Sequence, residues 1–172
     1  MIADEAFAWC ATEIRRNDYD RYLSVLFAPR ASRPYLFALY AVNHEIAKTA
    51  EIARDPMMGA IRLQWWREAF DELHAGEPRH HEALLALAET LRAHDLPKAM
   101  FDAMLDAREL DFEKAPFADM AALEAYADAT SGILMRLAAR ILGNPLYEVA
   151  REAGIAYALT GLLRALDRKS VV

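Results

Sequence analysis

The sequence has almost no cysteine. Cys10 is the single thiol in 172 residues, so an intrachain disulfide is excluded and a reducing compartment is implied. No nucleophile pattern surrounds Cys10, and it is expected to be a buried structural thiol. Glycine and proline are scarce, at 6 and 7 residues, which argues against a turn-rich β-sandwich. No apolar run reaches the roughly 18 residues of a membrane helix. The formal charge is −6, so there is no basic field for nucleic acid. The opening Met-Ile-Ala-Asp-Glu-Ala carries acids where export and transit segments carry bases. The expectation is a soluble, cytoplasmic chain. Several chemical motifs are also missing: His-x-x-x-His, a Gly-rich phosphate loop, Gly-x-Ser-x-Gly and a Cys–His pairing.

What is present is helix. There are 35 alanines and 22 leucines, and 55% of residues are hydrophobic. Both commonest residues are strong helix formers, and no segment alternates as a strand does. Eight helices are predicted in one domain spanning 1–172. The first runs from Asp4 to Arg16, with Phe7, Cys10 and Ile14 on one face. Asp18 caps a short second helix that stops near Pro29. Ser32, with its hydroxyl as cap, and Pro34 open a long third helix to Ala53. The fourth spans Met57 to His74, ending at Gly76. The fifth runs from Arg79 to Ala93, the sixth starts at Pro97, and the seventh leads from Pro116 and Asp119 to Leu142. The eighth follows Gly143-Asn144-Pro145 and continues through Leu166. Short connections of this kind suit a compact all-α fold.

Few residues look chemical by themselves. His80-His81-Glu82 cannot converge on one ion, because adjacent helical side chains point about 100° apart; a solvated helix start is expected there. Acids four apart on one face could hold a diphosphate-bound Mg²⁺. Asp102 with Asp106 and Glu68 with Glu72 offer that spacing, and Asp106 with Leu110 and Asp111 comes near it, but basic neighbours such as Arg67 and Arg108 favour a solvated surface. Of the adjacent Trp65 and Trp66, one should enter the core and the other sit at its margin.

Several blocks, taken in order, carry a family resemblance. They are Asp18-Tyr19-Asp20-Arg21-Tyr22, Leu26-Phe27-Ala28-Pro29, Arg33, Phe37-Ala38-Leu39-Tyr40-Ala41, Leu63-Gln64-Trp65-Trp66-Arg67, Leu123 to Ala127 with Ser131-Gly132, and Gly154 to Leu159 with Leu163-Arg164. The chain resembles the squalene and phytoene synthase family over almost its whole length. The resemblance implies an all-α, terpenoid-synthase-like bundle around a central apolar groove. It also implies enzymes that join two prenyl diphosphates head to head. In these, two aspartate-rich motifs bind Mg²⁺ to neutralise the leaving diphosphate, and the groove keeps water from the carbocation.

The resemblance departs from the family pattern at those motifs. The first motif falls on Ala47, Lys48 and Glu51, and the second on Ala165 and Lys169, with Asp167 off register. Helical register puts Tyr40, Asn43 or His44, Ala47 and Glu51 on one stripe. The run Asn43-His44-Glu45-Ile46-Ala47 resembles instead the divergent branch typified by the mitochondrial respiratory complex I assembly factor. The chain stops in the helix of the second motif, so it is expected to lack the family's C-terminal helices.

The resemblance therefore implies a protein without prenyl transfer that acts in complex I assembly or binds a lipid-like or isoprenoid ligand. Such a protein would be cytoplasmic in a bacterium, or peripheral at the inner membrane, with no nucleic-acid partner and no cofactor. Two alternatives stand. One is an active Mg²⁺-dependent prenyl transferase with substitute ligands Glu45, Glu51, Asp111 and Asp167. The other is a purely structural or interaction domain. Carried over by position, the groove-lining candidates are Tyr22, Tyr40, Asn43, Ala47, Gln64, Trp65, Tyr126 and Ser131, and Arg21 and Arg33 are candidate phosphate contacts.

Overall fold

The computed structural model describes residues 2–53, 55–113 and 116–169, except the side chains of residues 2 and 165–169. Among the described residues there are ten α-helices and no strand: α1 (Ile2–Asn17), α2 (Tyr19–Leu26), α3 (Arg33–Ala47), α4 (Thr49–Ile52), α5 (Pro56–His74), α6 (Glu82–Ala93), α7 (Lys98–Arg108), α8 (Met120–Ala127), α9 (Ile133–Ile141) and α10 (Tyr147–Lys169). The fold is all-α, as the sequence predicts. The ten reduce to the eight predicted helices at two places. Predicted helix three is broken after Ala47, giving α3 and α4. Predicted helix seven is α8 and α9 joined through a π-helical turn, Asp128–Gly132. A 3-10 turn, Glu109–Phe112, extends α7.

Local chemistry sets the helix starts. Asp18, Asp55 and Asp119 each accept a backbone N–H two to three residues into the following helix: Arg21 at 3.1 Å, Met58 at 2.9 Å and Ala122 at 2.8 Å. Each satisfies an orphan donor of the first turn. Two expectations are corrected. Ser32 makes no side-chain cap bond, because the chain enters α3 through a tight turn that leaves Ser32 itself in helical geometry (φ −87°, ψ −17°). The fifth helix starts at Glu82, because His81 turns extended and its Nδ1 accepts the Ala83 N–H at 3.2 Å. Gly143, at φ +65°, ends α9 in the left-handed region that glycine adopts without a Cβ penalty.

The core sits where α1, α3 and α6 pack against one another. Leu36 to Asn43 are buried without interruption along α3, so the middle of this helix lies within the fold, as a stretch apolar nearly all round must. Cys10 and Ile14 of α1 and Leu84 and Leu87 of α6 are fully buried against it. Burial pushes the Cys10 thiol up to about 12, as an inert structural thiol should behave. The α5–α7 flank is closed by Phe70 against Phe101, ring centroids 5.1 Å apart. Trp66 is buried and Trp65 is at the margin, 37% exposed, the split expected of the pair. On the opposite flank α10 lies along α8, the π turn and α9.

The seat of α10 depends on one glycine. A Cβ at Gly154 would collide with the Ser131 carbonyl oxygen and come within 2.7 Å of the Gly132 Cα. Within the π turn, Thr130 Oγ1 donates to the Tyr126 carbonyl at 2.7 Å.

Candidate functional site

A cleft runs between α2 and α3 on one side and the π turn, α9 and α10 on the other. It consists of two cavities that follow each other along both α3 and α10. The first, about 530 Å³, takes Leu36 and Tyr40 from α3 and Val149 and Ala153 from α10, with Val25, Phe27, Met135 and Leu142 completing an apolar wall. The second, about 290 Å³, takes Asn43, His44 and Ala47 from α3 and Tyr157, Ala158 and Gly161 from α10. Its other walls bring polar groups from Asp18, Arg21, Arg108, Tyr126, Thr130 and Ser131 beside Leu134 and Leu162. The two cavities meet at Tyr40 and Arg21, whose guanidinium lies 5.6 Å from the Tyr40 ring centroid and 4.7 Å from that of Tyr157. A cation sandwiched against aromatic faces in this way is held by the ring quadrupoles.

The acids at the polar cavity are already engaged. Arg21 donates to Asp18 at 2.5 Å. Arg108 donates to Asp111 at 3.1 Å and to the Tyr126 hydroxyl at 3.0 Å, and that hydroxyl donates to Asp111 at 2.5 Å. Burial, and then the hydrogen bond to Asp111, pushes the Tyr126 phenol up to about 12 against the pull of Arg108. Burial likewise raises Tyr40 and Tyr157, with Arg21 opposing in both. At the rim of the π turn, Asp128 accepts from Arg151 at 2.8 Å.

Two polar atoms of the cavity lining have no partner. Ser131 Oγ and Arg21 Nε are buried and make no hydrogen bond. Buried unpaired groups are costly, and both belong to residues that line the cavity. Among the described residues the donor set does not fit a metal ion. Ala47 supplies no ligand, Asp18 and Asp111 are held by arginines, and among the described residues no group of three or more His, Cys, Asp or Glu could hold a metal.

The candidate residues distribute unevenly. Asn43, Ala47, Tyr126, Ser131 and Arg21 come together in the polar cavity, and Tyr40 lines the apolar one. Tyr22 instead stacks on Tyr19 and Phe37. Gln64 points away and donates to Glu68 at 3.2 Å. Arg33 donates to the Ala28 carbonyl at 3.0 Å, so it locks the α2–α3 loop instead of meeting a phosphate.

The expected stripe ends at Ala47. The break at Lys48 carries Glu51 onto the exposed face of α4, and Lys48 pairs with Glu45 on another face, where Trp65 also lies. Ala165, Asp167 and Lys169 fall on the last turns of α10, and their side chains lie outside the described residues. The other paired acids are taken up in ion pairs: Asp102 by Lys98, Asp106 by Arg67, and Glu68 and Glu72 by Arg79.

His44, the stripe's alternative to Asn43, also lines the cavity, and Arg108, Thr130 and Tyr157 line it without having been singled out for it. Tyr157 lies in a matched block, and Arg108 stands three residues before Asp111; both signals were present. Thr130 depends on the π turn, which no residue pattern announces.

Comparison with known proteins gives a consistent result. A sequence profile described as squalene/phytoene synthase matches residues 14–169. NADH dehydrogenase (ubiquinone) complex I, assembly factor 6, of Bos taurus is 31% identical over 160 residues, covering 91% of this chain and 48% of that protein. Presqualene diphosphate synthase of Rhodopseudomonas palustris is 30% identical over 152 residues, covering 85% of this chain and 53% of that one. The chain thus spans about half the length of these relatives. A crystal structure of a dehydrosqualene synthase in complex with a ligand superposes with a TM-score of 0.81 at 21% identity, over 94% of this chain and 57% of that one. It has the same fold.

Proposed function

The chain belongs to the squalene/phytoene synthase family, and on that premise we propose that it keeps the family's cleft without the family's metal chemistry and acts in the assembly of respiratory complex I. The cleft holds an isoprenoid or other lipid-like ligand, with its polar end beside Ser131 and Arg21 and its apolar end beyond Tyr40.

The observation that carries this reading is the state of the acids at the polar cavity. Asp18 and Asp111 are each bonded to an arginine, and the neighbouring place on α3 is Ala47. A cation entering there would have to displace two guanidinium groups, and charge-assisted bonds of that kind are worth about 1.5–3 kcal/mol each. The similarity to complex I assembly factor 6 supports the assembly role. The half-polar, half-apolar cleft supports an amphiphilic ligand.

Deleting the gene in its host and measuring rotenone-sensitive NADH:ubiquinone oxidoreductase activity tests the assembly role. Activity should fall, with complex I subunits accumulating in subassemblies on native gels. Unchanged activity with fully assembled complex I refutes it. A second reading, prenyl transfer, has the similarity to presqualene diphosphate synthase in its favour; it requires Mg²⁺-dependent release of diphosphate.

A further inference from the structure

A separate depression of about 390 Å³ opens between the end of α3, α4, the first half of α5 and the residues before α6. It lies within the size range of small-molecule sites and shares no lining residue with the cleft. Its wall is built around Trp65. Arg79 lies over the Trp65 ring at 5.1 Å and Trp66 abuts it edge-on at 5.1 Å. Arg79 is itself fixed by Glu72 at 2.6 Å and Glu68 at 3.2 Å. An indole that is 37% exposed is thus held rigidly as a flat surface.

Two polar groups face each other here without bonding. His81 Nδ1 accepts the Ala83 N–H, which places the proton of the neutral ring on Nε2. That nitrogen stands 3.9 Å from Glu45 Oε2, too far for a hydrogen bond. The other Glu45 oxygen is taken by Lys48. A single hydroxyl fits this gap, because it can accept from Nε2–H and donate to the carboxylate. Arg62 also lines the depression and has no ion-pair or hydrogen-bond partner among the described residues. With Glu45, Lys48 and Arg62, the lining carries one net positive charge on a chain whose formal charge is −6.

We propose that this depression binds a small planar hydroxy acid, a hydroxylated aromatic carboxylate. The ring lies on Trp65, the hydroxyl bridges His81 and Glu45, and the carboxylate meets Arg62. The site is independent of the cleft and of the assembly role.

The test titrates 4-hydroxybenzoate into the full chain, with heat and tryptophan fluorescence as readouts. Saturable binding that quenches fluorescence is expected. Benzoate, which lacks the hydroxyl, should bind about tenfold more weakly, and Arg62→Gln should weaken 4-hydroxybenzoate by about tenfold, the usual effect of losing one charge-assisted hydrogen bond. Arg62 is exposed and unpaired among the described residues, so that variant folds as the parent does, which its thermal midpoint checks. The absence of saturable binding overturns the proposal. So does equal affinity of the parent and Arg62→Gln, or of benzoate and 4-hydroxybenzoate.

Discussion

The two flanks of α3 are built on different principles. Towards α1 and α6 the helix meets a continuous apolar surface of Leu, Ala, Ile and Cys10, in which no single contact is special. Towards α10 it faces a cleft whose shape depends on a π turn, one glycine contact and a set of arginine–acid pairs. The first flank supplies stability that is distributed and tolerant. The second supplies shape and polarity, and concentrates them in a few residues.

Perturbations of the two flanks should therefore differ in kind. The largest expected effect is Leu84→Ala in α6. It removes a fully buried side chain and should cost about 2–5 kcal/mol, read as a lower urea midpoint throughout the molecule. Gly154→Ala comes next, at about 1–3 kcal/mol for overpacking against Ser131 and Gly132. Hydrogen exchange should show its loss of protection in α10 and the π turn while α1, α3 and α6 stay protected; uniform loss would erase the distinction between flanks.

Tyr126→Phe tests the polar cavity by pH. The Tyr126 pKa is raised to about 12 in the folded chain from about 10 unfolded. The folded state thus holds its proton longer, and the stabilisation is complete below pH 10 and declines as pH rises towards 12. The parent should lose urea resistance between pH 10 and 12 more steeply than Tyr126→Phe, and parallel curves would contradict the assignment. The smallest effect is expected for Phe27→Ser. Phe27 lines the apolar cavity but is 91% exposed, so stability should stay within about 0.5 kcal/mol while uptake of an apolar ligand weakens.

The difference between the flanks also explains what could be read from the sequence. The core flank follows from hydrophobic pattern, so the helices, the burial of Cys10 and the Trp65–Trp66 split were legible. The cleft flank depends on backbone events without a residue signature. The break at Lys48 separates Ala47 from Glu51, and the π turn presents Thr130 and Ser131. His81 turns inward because its ring caps α6 while packing against Trp65 and Trp66, although its neighbours suggested a solvated start. The matched blocks brought Asn43, Ala47, Tyr126 and Ser131 to one cavity. They misplaced Gln64 and Arg33, whose side chains serve local hydrogen bonds.

The central claim is that the cleft persists without metal-dependent prenyl transfer. It is tested most directly by incubating the purified chain with farnesyl or geranylgeranyl diphosphate and Mg²⁺, and following diphosphate release and C30 or C40 products by mass spectrometry. The account predicts that the prenyl diphosphate is recovered intact. Magnesium-dependent appearance of a head-to-head product would contradict it.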